Sequence, residues 1–197
     1  MKDLIKNLYE NLSTSLRNIK MMPIPEFDPD NLKFVPYDAQ KHVLPNLNFA
    51  QSNGDDPLDV QNYYDNIMTG KYHPSGLTYV LKYEKKHIGF FVVGLTTIRQ
   101  EHNPGIPRLE GKDTNDFTKG LLIDKIGIDQ NYRCFRIGKY ILQFCIGLVK
   151  SINTSSQIRV IIFETTNSLA EKIYHPKYRF NYVKKNENIV WAYKTIC

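Results

Sequence analysis

Over residues 3–20, leucines fall at Leu4, Leu8, Leu12 and Leu16, with Ile5 and Ile19 beside them. That spacing predicts an amphipathic helix packed on the domain or on a second subunit, which leaves a homodimer open. Met22–Pro29 is proline-rich and predicts a stiff extended connector. The period then shortens. Leu32–Tyr37 predicts a strand kept near an edge by Pro36. Residues 56–68 return to a helical spacing with Leu58, Tyr63, Tyr64, Ile67 and Met68. Leu77–Tyr83 and His87–Ile98, split by Glu84-Lys85-Lys86, predict a hairpin. Residues 99–119, with Pro104, Gly105, Pro107 and Gly111, form a long connection, read either as a gate over a substrate site or as a surface insertion.

The densest pattern follows. Leu121–Ile128 is a nearly unbroken apolar run, suited to a strand buried on both faces. From Ile137 the spacing becomes three-and-four through Tyr140, Ile141, Phe144, Cys145, Leu148 and Val149, which predicts a helix. Gln157–Glu164 reads as a second buried strand. A helix is expected from Asn167 to Tyr174, capped by Thr166 or Asn167 and ended early by Pro176. Asn188–Ile196 closes the chain as a strand behind the turn Lys184–Glu187.

Composition narrows the class. The 197 residues, 42% hydrophobic and 23% charged, suit one domain with a sizeable core (31–197) behind the helix and connector of 1–30. No apolar run approaches a membrane span of about 20 residues, and a signal-peptide pattern is missing at the start. Cys134, Cys145 and Cys197 lack disulfide or metal-ligand spacing, as do the five histidines, so no metal is expected and the expected compartment is the cytoplasm. The net charge of +6 is concentrated. Arg133, Arg136, Lys139 and Lys150 face only Asp129 within 129–150, and residues 167–197 carry a net of +4. The second group reads as a solvated face or a surface for an anionic substrate, with nucleic acid expected only as a tRNA substrate.

A strand that turns directly into a helix leaves the first helical N–H groups free, which makes an anion site suited to phosphate. Here that turn is Tyr132-Arg133-Cys134-Phe135-Arg136-Ile137-Gly138. It resembles the acetyl-CoA signature of the GCN5-related N-acetyltransferases: Arg or Gln, two residues, Gly, one residue, then Gly or Ala. Arg133 and Gly138 fill the outer positions, and Arg136 replaces the middle glycine. A second marker is similar to the family's penultimate helix, with Asn167, Ala170 and Tyr174 followed by Phe180. Leu58-Asp59, behind Gly54, resembles the early helix of acetyltransferase toxins that modify aminoacyl-tRNA.

The resemblance implies an α/β fold with a mixed, mostly antiparallel sheet, splayed at the coenzyme site and flanked by helices. It implies a bulge near Ile128, with Ile126 and Ile128 pairing the pantetheine amides. Amides from Cys134 through Phe135, Arg136 and Gly138 to Lys139 would hold the pyrophosphate, helped by the Arg133 side chain. Asn167 would contact the coenzyme and Tyr174 would give a proton to the departing thiolate. Asp124, two residues before Ile126, stands where some members place a general base, with Glu164 in reserve. The expected activity is acetyl transfer from acetyl-CoA to an amine by direct attack in a ternary complex. The acceptor is left open among a small amine, a protein amine and an aminoacyl-tRNA. A lysine-like amine costs about 4.6 kcal/mol to deprotonate at pH 7 and an α-amine only about 1 kcal/mol, so the first leans harder on a positioned carboxylate. The alternative is a non-catalytic acyl-CoA-binding or partner-binding module, which Arg136 keeps in play.

Overall fold

The computed structural model describes residues 27–51, 54–99, 117–156 and 158–196. The helix expected over 3–20, most of the proline-rich connector and most of the 99–119 connection lie outside the described residues.

One seven-stranded sheet organises the rest, in the order β1-β2-β3-β4-β5-β7-β6. The strands are β1 Leu32–Pro36, β2 Leu77–Tyr83, β3 Lys86–Arg99, β4 Phe117–Ile128, β5 Val160–Thr166, β6 Asn181–Lys184 and β7 Ile189–Thr195. Neighbours run antiparallel except β4 and β5, which are parallel. The α1 helix is Val60–Met68 and α2 is Ile137–Ser156. A third helical segment combines α3 (Asn167–Leu169), a π-helical turn (Ala170–Tyr174) and α4 (His175–Tyr178). The fold is the mixed, mostly antiparallel α/β sheet that the resemblance implies. No helix among the described residues is long and apolar enough to cross a membrane.

The two faces follow from strand alternation. Phe91 and Val93 of β3, Leu121 and Ile123 of β4, and Ile161 and Phe163 of β5 join Ile137, Ile141, Cys145 and Val149 of α2 in the main core. The intervening Phe90 and Val92 turn to the other face and pack with Val60, Tyr64 and Ile67 of α1. Ile141 is completely buried, so its truncation to alanine costs about 2–5 kcal/mol.

Three local expectations are corrected. The first helix begins at Val60 rather than near residue 56, because Asp59 takes a left-handed conformation at φ 53° that an α-helix cannot continue through. The penultimate helix runs past Pro176 to Tyr178. After the π-helical turn the helix restarts at His175, so Pro176 falls in a first turn, where its missing N–H is not needed. The bulge in β4 lies at Asp124, not near Ile128: Lys125 pairs with Val92 and Ile123 with Val93, leaving Asp124 without a partner on β3.

Candidate active site

β4 and β5 pair only from Gly120–Val160 to Ile123–Phe163. Beyond that point β5 continues with β7 alone and β4 with β3 alone, so the sheet opens. A groove of about 2100 Å³ occupies the opening. That is larger than the ~300–1,000 Å³ of an ordinary ligand pocket and leaves room for two substrates side by side.

Ile126 and Ile128 of β4 line this groove with Asp124. So do Arg133, Phe135, Arg136, Gly138 and Lys139 of the loop into α2, and Asn167 and Tyr174 opposite. Cys134 belongs to the 3-10 turn Gln130–Phe135 that precedes this loop. The sheet opening thus brings nearly the whole sequence-derived set onto one surface.

The loop's shape has a clear cause. Asp129, only 7% exposed, accepts from Asn131 N at 3.0 Å, Asn131 Nδ2 at 2.9 Å and Asn48 N at 3.0 Å, which caps the 3-10 turn and ties in the 45–50 segment. Gln61 holds the same segment from α1, accepting from Phe49 N at 2.9 Å and donating to Leu47 O at 3.1 Å. Arg136 then turns the chain into α2 at φ 57°, ψ 30°. This is the left-handed region where glycine is at ease and an arginine is strained. The missing glycine of the motif is therefore replaced in chemistry but not in backbone shape. At Gly138 a Cβ would meet nothing within 4 Å, so the space before the helix N-terminus is open groove. Gly127 is different: a Cβ there would collide with the rings of Phe90 and Phe49, so close approach requires glycine.

Several side chains stand differently from expectation. The Arg133 guanidinium donates to the carbonyls of Ile128 (3.1 Å) and Phe49, so it staples the loop to β4 and the 45–50 segment. Glu164, the reserve base, is ion-paired with Lys185, whose ammonium lies 5.2 Å from the Trp191 ring centroid. Of the two expected caps of the penultimate helix, Thr166 takes the role, accepting from Leu169 N at 3.3 Å. Asn167 Nδ2 donates to Glu171 at 3.0 Å and its N–H to Asn188 O at 2.9 Å. The Tyr174 ring packs edge-on against Phe163 at 4.8 Å, at the end of β5 beside the opening. Burial pushes its phenol up to about 12, while a hydrogen bond from Thr165 works the other way.

Asp124 accepts from the Tyr63 hydroxyl at 2.7 Å across 61 positions of sequence. No sequence signal marks Tyr63 for this contact. The Asp129 cap, by contrast, follows from a local acidic turn pattern and was readable at Asp129-Gln130-Asn131.

No protein-family model and no curated protein sequence matches the chain. Solved structures do. One described as a bacterial toxin is 10% identical with a TM-score of 0.62, over 84% of this chain and 90% of that one. A tyrosine-to-phenylalanine variant of the AtaT toxin, bound to the C-terminus of the antitoxin AtaR and acetyl-CoA, is 12% identical with a TM-score of 0.57, over 85% and 94%. AtaT complexed with acetyl-methionyl-tRNAfMet is 14% identical with a TM-score of 0.53, over 81% and 93%. At these identities the likeness is one of fold: a mixed, mostly antiparallel sheet flanked by helices.

Proposed function

We propose that the chain is an acetyl-CoA-dependent N-acetyltransferase that moves the acetyl group directly to an amine bound beside it. The observation that carries this reading is the opening of β4 from β5 after Ile123 and Phe163, next to the strand-to-helix loop that leads into α2. The open edge of β4 beyond Ile123 offers unpaired backbone groups to an extended amide-bearing arm. The amides of Ile137 and Gly138 at the start of α2, with the positive end of the helix behind them, suit a pyrophosphate, whereas the Lys139 N–H donates to Arg136 O at 3.0 Å. Acetyl-CoA supplies both features and an activated thioester.

The chain's own groups divide the work. Tyr174 presents a phenol that remains protonated throughout the neutral range. Outright transfer from a phenol at about 12 to a thiolate near 8.5 is uphill by about 5 kcal/mol, so Tyr174 acts as a hydrogen-bond donor to the departing sulfur rather than as its final proton source. Asp124 supplies the base for the amine, whereas Glu164 is held by Lys185. Lys172 and Lys177 line the Tyr174 side of the groove and suit an anionic acceptor. Together with the AtaT complex that contains acetyl-methionyl-tRNA, they favour the α-amine of an aminoacyl-tRNA as the acceptor to test first.

Calorimetry with acetyl-CoA and free CoA tests the first half of the reading, and thiol release with an amine panel tests the second. Tyr174→Phe should lower kcat at least tenfold with acetyl-CoA affinity preserved. No binding at about millimolar acetyl-CoA would refute the enzyme. A second reading, an acyl-CoA-binding or partner-binding module without turnover, is favoured by the Arg133 guanidinium being taken up by backbone carbonyls. Binding without turnover in either wild type or Tyr174→Phe is its signature.

A further inference from the structure

Successive residues of a regular strand point to opposite faces, but a bulge brings two of them to one side. At the β4 bulge both Asp124 and Lys125 engage α1 and the segment before it. Lys125 Nζ donates to Leu58 O at 2.6 Å and lies 5.6 Å from the Tyr63 ring centroid. It does not pair with its acidic neighbour. Tyr63 instead donates its hydroxyl to Asp124 Oδ2 at 2.7 Å. The Tyr63 ring is itself held, edge-on to Tyr72 at 5.1 Å and stacked over Phe90 at 6.2 Å.

Two consequences follow for the carboxylate. Among the described residues no cation lies within ion-pair distance of Asp124, which lines the wall of the groove. No described residue bonds Oδ1, so one oxygen is fixed and the other is open. An acid placed only to hold α1 would gain more from the ammonium of Lys125 than from a neutral phenol. A partly buried carboxylate with one restrained and one open oxygen is complementary to an incoming ammonium group. Burial and the neighbouring carboxylate push the Tyr63 phenol well above its ordinary range, so it stays a donor.

We infer that Tyr63 is a positioning residue: by holding Oδ2 it orients Asp124 so that Oδ1 meets the protonated amine of the acceptor. The inference rests on the acetyltransferase reading. Oδ1 takes one proton from the ammonium, and the freed nitrogen lone pair forms the N–C bond as the C–S bond breaks with its electron pair going to sulfur. The nitrogen's second proton balances the one that sulfur takes up, and the first leaves Asp124 for solvent. The Tyr63 proton stays on its own oxygen throughout.

The test is a double-mutant cycle of Tyr63→Phe and Asp124→Ala, with Asp124→Asn as the variant that preserves shape. Acetyl-CoA is held saturating, and the acceptor is whichever of spermidine, a lysine-rich peptide and bulk aminoacyl-tRNA the wild type turns over. Tyr63→Phe keeps the ring and its packing, so an unchanged melting temperature certifies the fold. The expected result is a kcat at least tenfold lower for Tyr63→Phe, acetyl-CoA affinity within twofold of wild type, and less than twofold further loss when Tyr63→Phe is added to Asp124→Ala. Equal losses in both backgrounds, or an unchanged kcat in the single variant, overturn the role of Tyr63 while leaving the acetyltransferase intact. A wild type that binds no acetyl-CoA, or turns over none of the three amines, overturns that parent reading and this inference with it.

Discussion

Arg136 is strained where its motif expects glycine, and replacing it with glycine separates two things the residue does. Its φ of 57° and ψ of 30° are left-handed, which costs a side-chain-bearing residue about 1–2 kcal/mol. Glycine removes that cost but gives the unfolded chain extra freedom worth about 0.5–1 kcal/mol. The net expectation for Arg136→Gly is a gain of about 0.5–1 kcal/mol, or a rise of about 1–4 °C in melting temperature for a chain of this size. The same substitution removes a cation from the phosphate end of the groove. Unit charges about 4 Å apart in water attract by about 1 kcal/mol, which is about fivefold in acetyl-CoA affinity at low salt and less as salt rises. Arg136→Lys is the control that keeps both charge and strain. Urea or thermal unfolding, with calorimetric titration of acetyl-CoA at two ionic strengths, reads both quantities. A less stable Arg136→Gly protein would refute the backbone argument, and an affinity that does not change at low salt would refute the electrostatic one.

Two further outcomes are expected. Gly138→Val places a side chain in open groove rather than in the core, so the fold should melt within a few degrees of wild type while acetyl-CoA affinity falls at least tenfold in the same titration. Cys145 is completely buried and its thiol is pushed up to about 12, so the folded state holds that proton more tightly than the unfolded state. This contribution is intact below about pH 9 and is lost as pH rises toward 12; at pH 10.5 it removes about 2 kcal/mol of stability. Urea unfolding at pH 8 and 10.5 should show that loss, and Cys145→Ala should flatten it; a slope unchanged in the variant would contradict the assignment.

What could be read in advance was what depends on near neighbours in sequence. The run Leu121–Ile128 and the three-and-four spacing from Ile137 each report one element's burial, and both elements form as the spacing predicts. The mixed, mostly antiparallel sheet was implied by the family resemblance of the Arg133–Gly138 and Asn167–Phe180 stretches, and it forms. Contacts between distant residues were not legible. The Tyr63–Asp124 bond depends on where a bulge falls in β4, and bulge position is set by pairing with β3 rather than by any residue type at Asp124. Pro176 misled because its effect depends on the turn before it: in a continuous α-helix it would clash, and behind a π-helical turn it opens a new helix. Arg136 was legible as a chemical departure from the motif, but its left-handed backbone was not, since arginine carries no preference for that conformation.

The parting of β4 from β5 has a cost outside catalysis. From Asp124 to Ile128 the strand presents an edge that no described strand covers on the β5 side, with Gly127 adding no side chain to screen it. Uncovered strand edges recruit other strands, whether from a neighbouring copy or from a loose segment of the same chain. The bulge at Asp124 and the charge of Lys125 blunt this edge at its inner end, while Ile126–Ile128 remain open. A ligand lying along β4 would therefore also keep the protein dispersed, and the empty protein should be the form that sticks to itself as concentration rises.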